Sequence, residues 1–304
     1  MMNMTLRQLT LFQAVAQHLS FTRAAIELSL TQPAVSIQIK QLEGHIGMPL
    51  FEQIGKRIFL TDAGHQLYGT CEDIFERLSS LETSLNELQG SIKGQLKISV
   101  VTTATYFIPK IFQAFARLYP EVNLRLQVYN RVKILERLTN NKDDLVIMGQ
   151  APEHLNVTAH SFLNNPLVVI ASSQHQLVGQ SNIPLSRLLQ ENILMREVGS
   201  GTRLAIENNF ANNHMEMQTT IELGSTEAIK QGVLNNMGVS ILSKHAVSLE
   251  LATKKINILD VDTFPLKKNW YVTHLTEKEL SLVAKTFLEF LLTNSQKVVE
   301  QSTF

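Results

Sequence analysis

The chain has 304 residues, enough for about two domains whose cores need no crosslinks. Hydrophobic residues make up 44% of the chain and charged residues only 18%, which excludes a disordered chain and a polyelectrolyte. Lysine plus arginine and aspartate plus glutamate number 27 each, so the net charge indicates neither a nucleic-acid nor a membrane partner.

The single cysteine and the lack of long apolar segments exclude further classes of protein. Cys71 alone can form neither an internal disulfide nor a cysteine-rich metal site. The N-terminal residues contain no apolar segment of signal-peptide length, and no later segment has the roughly 18 uncharged apolar residues that a membrane span needs. We therefore expect a cytoplasmic protein with no membrane partner.

Residues 1–65 are predicted to form a small helical head. Apolar residues recur at steps of three and four over 6–16, which predicts a first helix. Hydroxyls at 20–22 can cap a second, short helix that ends near Leu28. A third helix is predicted to begin at 31–33, where Thr-Gln-Pro places a proline in the first turn.

The third helix has two different faces, and a wing follows it. The packing face carries Val35, Ile39, Leu42 and Ile46, and the opposite face carries Pro33, Ser36, Ile37 and Lys40. Two short strands at 50–52 and 57–60 flank a glycine-containing turn at 53–56. This order of elements predicts a winged helix-turn-helix, whose second motif helix enters the major groove of DNA.

The candidate DNA contacts lie around this third helix and on the wing. They are Thr22, Arg23, Thr31, Gln32, Pro33, Ser36, Ile37, Lys40, Lys56 and Arg57. The head has five basic residues against four acidic ones, so one subunit attracts phosphate weakly and several subunits are needed. Ile37 suits a thymine methyl as well as a contact with another helix or the wing.

A strict heptad repeat predicts a linker and dimerisation helix over 66–93. Apolar residues are separated by alternating gaps of four and three from Leu67 through Cys71, Ile74, Leu78, Leu81, Leu85 and Leu88 to Ile92. Such a seam favours pairing with a second helix over packing in a globular core. We predict that Leu67, Ile74, Leu78, Leu81, Leu85 and Leu88 form the dimer interface, with Cys71 as a small seam residue rather than a redox centre.

Residues 94–304 alternate between predicted strands and helices, which favours a two-lobed α/β domain. The first lobe has strands at 97–101, 123–129 and 145–148, with helices at 107–118 and 132–138. The second has strands at 167–171, 192–195, 219–223 and 239–242, with helices at 185–189, 202–213, 225–235 and 244–251. A strand at 269–274 and a helix at 278–292 are assigned back to the first lobe. Lobe I then covers about 94–164 and 269–304, and lobe II about 165–268.

No catalytic pattern is present in the sequence. The nine histidines form no H-x-x-x-H or H-x-H pair, and there is no G-x-S-x-G motif. We therefore expect no enzyme, no metal and no cofactor. Two alternatives remain: a two-lobed α/β enzyme, which would not explain the wing and the heptads, and an architectural DNA-binding protein without a ligand, which would not explain two lobes.

Several segments resemble the LysR-type transcriptional regulators. They are 6–12, Ser-Phe-Thr-Arg-Ala-Ala at 20–25, Leu-Thr-Gln-Pro-Ala-Val-Ser at 30–36, Gln-Leu-Glu at 41–43, Gly-Met-Pro-Leu-Phe at 47–51 and Leu-Thr-Asp-Ala-Gly at 60–64. Within the family, Asn130-Arg131, Asp-Leu-Val-Ile-Met-Gly at 144–149 and Arg-Glu-Val-Gly-Ser-Gly-Thr-Arg at 196–203 are most similar to regulators of carbon-fixation genes such as the Rubisco operon.

The resemblance implies an architecture and a set of partners. The expected fold is a winged helix-turn-helix, a coiled-coil linker helix and an effector domain similar to type 2 periplasmic binding proteins. The expected assembly is a homodimer that forms a homotetramer as a dimer of dimers. The expected partners are double-stranded promoter DNA, a small anionic metabolite as effector, and RNA polymerase.

The effector is expected in the cleft between the lobes. The segment 199–203 follows a strand and opens a helix, so its N–H groups, hydroxyls and Arg203 suit an anion, although a plain capped turn is the alternative. Thr102 and Thr103 follow the first strand and face the same cleft by topology, or act as helix caps. The predicted effector residues are Thr102, Thr103, Asn130, Met148, Gly199, Ser200, Gly201, Thr202, Arg203, Ser225 and Thr226.

Overall fold

The computed structural model describes residues 4–88, 91–217 and 221–300, except for the side chains of residue 80, 82–84 and 86–88. The chain divides into two compact units, residues 1–84 and 85–304. Within the described residues, no helix is both long and apolar enough to cross a membrane.

Three helices build the head, and each begins at a capping hydroxyl. They are α1 (Leu6–His18), α2 (Phe21–Glu27) and α3 (Gln32–Ile46). The hydroxyls of Thr5, Ser20 and Thr31 accept hydrogen bonds from the backbone N–H groups of the first turns. In α3, Val35, Ile39 and Leu42 are buried in the core of the head, as the predicted packing face requires.

The wing is a two-stranded hairpin that directly follows α3. Its strands β1 (Phe51–Ile54) and β2 (Arg57–Leu60) are antiparallel and leave only Gly55 and Lys56 in the turn. The predicted four-residue turn is therefore two residues shorter, because Gly55 has a φ of 65°, which suits the first central position of a tight hairpin turn. Glu43 of α3 fixes the base of the wing, since its carboxylate accepts the N–H of Leu50 at 2.8 Å.

The helix α4 (Asp62–Leu88) serves two surfaces along its length. Its first half packs against the head: Leu67 and Ile74 are half-buried there, and Cys71 is fully buried in the core of the head. Leu78, Leu81 and Leu85 are instead 40%, 55% and 52% exposed in the single chain. The prediction that Cys71 lies in a seam between subunits therefore needs correction. The side chain of Leu88 lies outside the described residues.

Lobe I of the second unit is built on a five-stranded sheet in the order β4-β3-β5-β12-β6. The strands are β3 (Gly94–Val101), β4 (Val122–Tyr129), β5 (Leu145–Met148), β6 (Val157–Asn164) and β12 (Asn269–Leu275). The helices are α5 (Ile108–Leu118), α6 (Arg131–Thr139) and α11 (Leu282–Glu300). Strands β3, β4 and β5 are parallel, and β12 is antiparallel to its two neighbours.

Lobe II repeats the plan with the sheet order β11-β7-β10-β8-β9. Its strands are β7 (Leu167–Ser172), β8 (Ile193–Arg196), β9 (Ile221–Leu223), β10 (Val239–Ser243) and β11 (Ile256–Ile258). Its helices are α7 (Leu185–Leu188), α8 (Gly201–Asn212), α9 (Thr226–Leu234) and α10 (Ser248–Ala252). Thr219 and Thr220, which the sequence assigns to a strand, lie outside the described residues.

The strands β6 and β11, which the sequence does not predict, and the start of α11 differ from the sequence prediction. In segment 157–164, apolar and polar residues do not alternate clearly, so the sequence pattern predicts no strand there. Helix α11 starts at Leu282 rather than at Lys278, because the Ser281 hydroxyl accepts the N–H of Ala284 and so caps the helix at that point. Two segments, 165–167 and 266–268, connect the lobes and run side by side. The Asn165 N–H donates to the Lys268 carbonyl at 2.7 Å.

We expect the start of α4 to tolerate no side chain at Gly64. A Cβ atom there would lie 2.2 Å from the Leu50 carbonyl oxygen, whereas a Cβ at Gly69 of the same helix has no neighbour within 4 Å. Gly64→Ala should therefore destabilise the head by about 1–3 kcal/mol through overpacking. Gly69→Ala is the matched control and should stabilise the helix by about 0.5–1 kcal/mol.

Hydrogen exchange of the head amides measures this difference, with the amides of residues 91–300 as an internal reference. Equal protection of the head in the two variants would contradict the close approach of α4 to the base of the wing.

Candidate functional site

A cavity of about 310 Å³ lies between the two lobes of the second unit. It is formed where the parallel strands β3, β5 and β8 end, together with both segments that connect the lobes. Ligands in open α/β sheets bind beyond the carboxyl ends of the strands, so the position is that of a binding site. The polar residues that line it are Thr102, Thr103, Gln150, Asn165, Ser200, Thr202, Asn269 and Tyr271.

Four cations and one carboxylate line this cavity. The cations are Arg131, Arg196, Lys267 and Lys268, and the carboxylate is Glu197. Within the described ranges 4–88, 91–217 and 221–300, Arg131, Lys267 and Lys268 form no ion pair. The lining is therefore cationic, in a protein whose overall formal charge is zero.

Arg196 is a buried guanidinium with hydrogen bonds to both lobes. It is the last residue of β8 and is 4% exposed. Its Nη1 donates to the Thr226 hydroxyl of lobe II at 2.8 Å, and its Nη2 reaches the Thr102 hydroxyl of lobe I at 3.4 Å. Its Nε and Nη2 also donate to the two carboxylate oxygens of Glu197, both at 2.7 Å. This bidentate pair compensates the buried charge.

Arg131 has a different environment, because it is half-buried without a carboxylate. It begins α6, directly after the N-cap Asn130, and its Nη1 donates to the Gln150 carbonyl at 2.8 Å. Burial lowers the pKa of its guanidinium, the direction expected of a cation that loses water without gaining an anion. An anionic ligand in the cavity would supply the missing partner.

Two buried polar atoms that belong to residues of the cavity lining lack hydrogen-bond partners. They are Oδ1 of Asn165 and Nε1 of Trp270, and their residues are 5% and 1% exposed. Buried polar atoms are almost always paired, and an unpaired one costs about 1–3 kcal/mol. Because each atom has almost no accessible surface, a ligand in the cavity would reach either of them only after a local rearrangement.

The segment 197–200 places the start of α8 at the cavity. The Ser200 N–H donates to the Glu197 carbonyl at 3.2 Å, which closes a turn, and Gly199 adopts a φ of 87°. A positive φ at the third residue is the type II turn requirement that glycine meets without strain. The Ser200 hydroxyl makes no capping hydrogen bond to the first turn of α8, and Ser200, Gly201 and Thr202 all line the cavity.

Five of the eleven predicted effector residues lie on the cavity lining. They are Thr102, Thr103, Ser200, Gly201 and Thr202. All of them follow a strand at its carboxyl end or open a helix there. This criterion therefore identified both walls of the cavity.

The structure places the other six elsewhere, and most already have a structural partner. Asn130 and Ser225 cap α6 and α9 through their side chains, and Thr226 accepts its hydrogen bond from Arg196. Met148 is fully buried in a core with Ile134 and Val146. Near Asn130 and Met148, the residues that line the cavity are Arg131, Gly149 and Gln150, one or two positions further along the chain.

Gly199 and Arg203 are also displaced from the cavity lining. Gly199 occupies the turn, and the Arg203 guanidinium pairs with Glu207 and Glu222. It also donates to the Arg196 carbonyl at 3.0 Å, so it supports the end of β8 instead of facing a ligand. The basic residue that lines the cavity at this strand end is therefore Arg196, the first residue of the segment that contains Arg203.

Sequence reasoning missed the cations of the cavity. Arg131 and Arg196 both follow predicted strands, at 123–129 and 192–195, so both carry the same positional signal as the predicted effector residues. Lys267 and Lys268 lie on the second connecting segment, which has no periodicity and could be found only from the return of β12 to lobe I.

The predicted DNA contacts lie on the surface of the head. Nine of the ten are exposed, and Ser36 is half-buried. On α3 the exposed side chains of Gln32, Pro33, Ile37 and Lys40 lie opposite the buried Val35, Ile39 and Leu42, and Ile37 is 56% exposed. Lys56 lies in the turn of the wing and Arg57 begins β2. Thr31 also has a structural role as the N-cap of α3.

No group of three or more metal-binding side chains occurs among the residues that the structure describes. The buried Cys71 thiol has its pKa raised to about 11 by burial and by the nearby Glu72 carboxylate. A thiol with this pKa stays protonated at neutral pH and is a poor nucleophile. Its position indicates a packing role in the head.

Two family models match the chain. The lysR family of bacterial regulatory helix-turn-helix proteins matches residues 6–65, and the LysR substrate binding domain matches residues 89–296. The HTH-type transcriptional activator CmpR of Synechocystis is 46% identical over 98% of both chains. A RuBisCO operon transcriptional regulator of Acidithiobacillus ferrooxidans is 46% identical over 96% of this chain and 94% of the relative.

Solved structures agree with these matches. The regulatory domain of Synechocystis CcmR in complex with 2-PG is 45% identical, covers 66% of this chain and 97% of that one, and has a TM-score of 0.63. The LysR family regulator CbnR complexed with target DNA is 20% identical and has a TM-score of 0.72 over 98% of this chain, which shows the shared fold. The predicted fold class is thus confirmed: a helical DNA-binding head followed by a two-lobed α/β domain.

Both the head and the two-lobed unit match models of one family, and full-length relatives of that family are nearly half identical to this chain. The chain therefore belongs to the LysR family of bacterial transcriptional regulators.

Proposed function

We propose that this regulator controls carbon-fixation genes and that a small anionic effector, bound between its lobes, changes how it binds promoter DNA. The observation that carries the proposal is the cationic cavity, in which Arg131 and two lysines lack carboxylate partners among the described residues. The gene set is supported by the similarity to CmpR and to RuBisCO operon regulators along nearly the whole chain.

The cavity chemistry favours an anion over a neutral ligand. A half-buried guanidinium interacts strongly with an anion, because fewer water molecules screen the charge there. Charge-assisted hydrogen bonds from Arg131 and from the lysines would pair with phosphate or carboxylate oxygens. The start of α8, on lobe II, adds the N–H groups of a helix N-terminus. We propose 2-PG as the probe to test first, since CcmR was solved with it at 45% identity.

An effector in this cavity can shift the relation between the lobes. Arg196 already connects them through Thr102 and Thr226, and Arg131 and Ser200 approach the ligand from lobes I and II. A ligand shifts a conformational equilibrium only by binding the two conformations unequally. Simultaneous contacts to both lobes provide that difference, because they form fully only at one spacing of the lobes.

We expect Arg131→Ala to weaken 2-PG binding about 10- to 100-fold, because the ligand loses a charged hydrogen bond in a partly buried site. Arg125→Ala is the matched control, since Arg125 lies exposed on β4 of the same lobe and its replacement removes the same charge. Isothermal titration calorimetry measures both affinities. Equal affinity in wild type and Arg131→Ala would contradict the assignment of this cavity to an anionic effector.

The exposed half of α4 supports self-association. Leu78, Leu81 and Leu85 repeat at heptad spacing and are about half exposed in one chain, so we propose that they pair with a second copy. We further propose that dimers assemble into a homotetramer, which would gather enough phosphate contacts from heads that carry little net charge.

We expect Leu81→Lys to dissociate the dimer, because pairing would bury a charge in an apolar interface. Leu249→Lys is the control, since Leu249 is 65% exposed on lobe II, outside the heptad repeat. Light scattering at micromolar protein gives the mass of each variant. An unchanged mass for Leu81→Lys would exclude this face of α4 from the interface.

The head is proposed to bind promoter DNA through α3 and the wing. The exposed face of α3 suits base edges in the major groove, while Lys56 and Arg57 suit phosphates beside it. Because CmpR is named an activator, we propose that the DNA-bound form contacts RNA polymerase, in the cytoplasm where promoters are transcribed.

We expect two head substitutions to affect DNA binding in different ways. Arg57→Ala should weaken binding to all sequences alike and make the log-log salt slope less negative by about 0.9 for each phosphate that is no longer neutralised. Ser36→Leu should abolish the preference for the operator, because a bulky side chain near the start of α3 blocks access to base edges. Titrations at several salt concentrations, on operator and scrambled DNA, separate the two effects. Full operator preference in Ser36→Leu would show that α3 does not contact the bases.

A further inference from the structure

Arg196 already has an anion on its guanidinium edge, and that anion belongs to the protein. Glu197 supplies two carboxylate oxygens, each 2.7 Å from a guanidinium nitrogen. Parallel pairing of this kind is how arginine binds a carboxylate or a phosphate from a ligand. Both residues line the cavity, so the carboxylate occupies one of the anion positions that the cavity offers.

The pairing of two sequence neighbours depends on the local backbone. Side chains of successive residues in a strand point to opposite faces of the sheet. Arg196 is the last residue of β8, and Glu197 begins the turn that Gly199 permits with its φ of 87°. The change from strand to turn brings both side chains to the same cavity. The Glu197 side chain remains 28% exposed, while that of Arg196 is 5% exposed.

We propose that Glu197 is a tethered competitor that the anionic effector must displace from Arg196. The inference rests on the proposed effector site and adds a specific control to it. In the absence of effector, Glu197 compensates the buried guanidinium. When an effector binds, its anionic group takes the same edge and Glu197 turns toward solvent, for which its partial exposure leaves room.

The competitor would also determine which anions can act as effectors. A tethered carboxylate is present at a high effective concentration, so a free monocarboxylate with the same chemistry cannot displace it at moderate concentration. Displacement requires an anion that makes further contacts elsewhere in the cavity, and Arg131, Lys267 and Lys268 provide cations for them that have no ion pair among the described residues. We therefore infer that the effector class is a compound with at least two anionic or strongly polar groups.

The opposite role for Glu197 makes the opposite prediction. If Glu197 only positions Arg196 for a ligand that binds elsewhere on the guanidinium, removal of its charge would weaken effector binding or leave it unchanged. The sign of the change in affinity therefore distinguishes a competitor from a positioning residue.

The test compares wild type with Glu197→Gln and uses 2-PG and inorganic phosphate as probes in calorimetry of the full chain. Glutamine keeps an oxygen for Arg196 but removes the negative charge, so the variant should bind 2-PG about tenfold more tightly, the scale of one net hydrogen bond. Inorganic phosphate should gain more than 2-PG in relative affinity, because it has fewer other contacts with which to displace the carboxylate.

Glu222→Gln is the matched control, since Glu222 pairs with Arg203 in the same lobe but does not line the cavity. It removes the same charge and should leave both affinities within about twofold of wild type. Thermal unfolding of each variant checks that the fold is retained. A gain of equal size in Glu222→Gln would assign the effect to general electrostatics and overturn the proposal.

The outcomes separate this proposal from the function on which it rests. If wild type binds 2-PG or phosphate and Glu197→Gln binds them equally or less tightly, the competitor is overturned while the effector site stands. If neither protein binds either probe, the anion site and the competitor are both overturned.

Discussion

The second unit depends on one constraint: the buried charge of Arg196 must be compensated where the two lobes meet. Removal of the partner of a buried guanidinium lowers the free energy of unfolding by about 3–5 kcal/mol, so the guanidinium must stay paired. Here the partners come from three places, namely Thr102 of lobe I, Thr226 of lobe II and Glu197 next to it in sequence. A movement of one lobe relative to the other would change that set of bonds, and an effector that displaces Glu197, as we propose, would change it as well. Arg196 therefore stabilises the junction of the lobes and also lies where the proposed effector would act.

A comparable double use occurs in α4. Its heptad repeat is continuous in sequence, yet the first three seam positions pack on the head and the next three are exposed. One apolar stripe thus serves the core of the head and then the surface that we propose for assembly. Because the same helix does both, the orientation of its exposed leucines is fixed by the packing of Leu67, Cys71 and Ile74.

The sequence predicted most elements, because buried strands and amphipathic helices leave strong periodic patterns. It predicted the cavity only in part, and the reason is visible in particular residues. A position after a predicted strand correctly indicated Thr102 and Ser200 as cavity residues. The same criterion does not show that the Asn130 side chain caps α6 while Arg131 lines the cavity. Nor could it tell that Arg203 would be held by Glu207 and Glu222. Arg203 and Glu222 are 19 residues apart and lie on different elements, so their pairing depends on tertiary packing, which one sequence does not reveal.

The low net charge of the head and the cationic lining of the cavity fit the same proposed mode of regulation. A head with five basic and four acidic residues gains little from non-specific attraction to DNA, so its affinity depends on how many heads contact DNA together. The number and spacing of those heads are properties of the assembly. If the effector acts as we propose, a ligand that changes the relation of the lobes would alter DNA binding through the assembly, without contact with the head. A strongly basic head would gain more of its DNA affinity from each copy alone, which would leave the assembly less influence on binding.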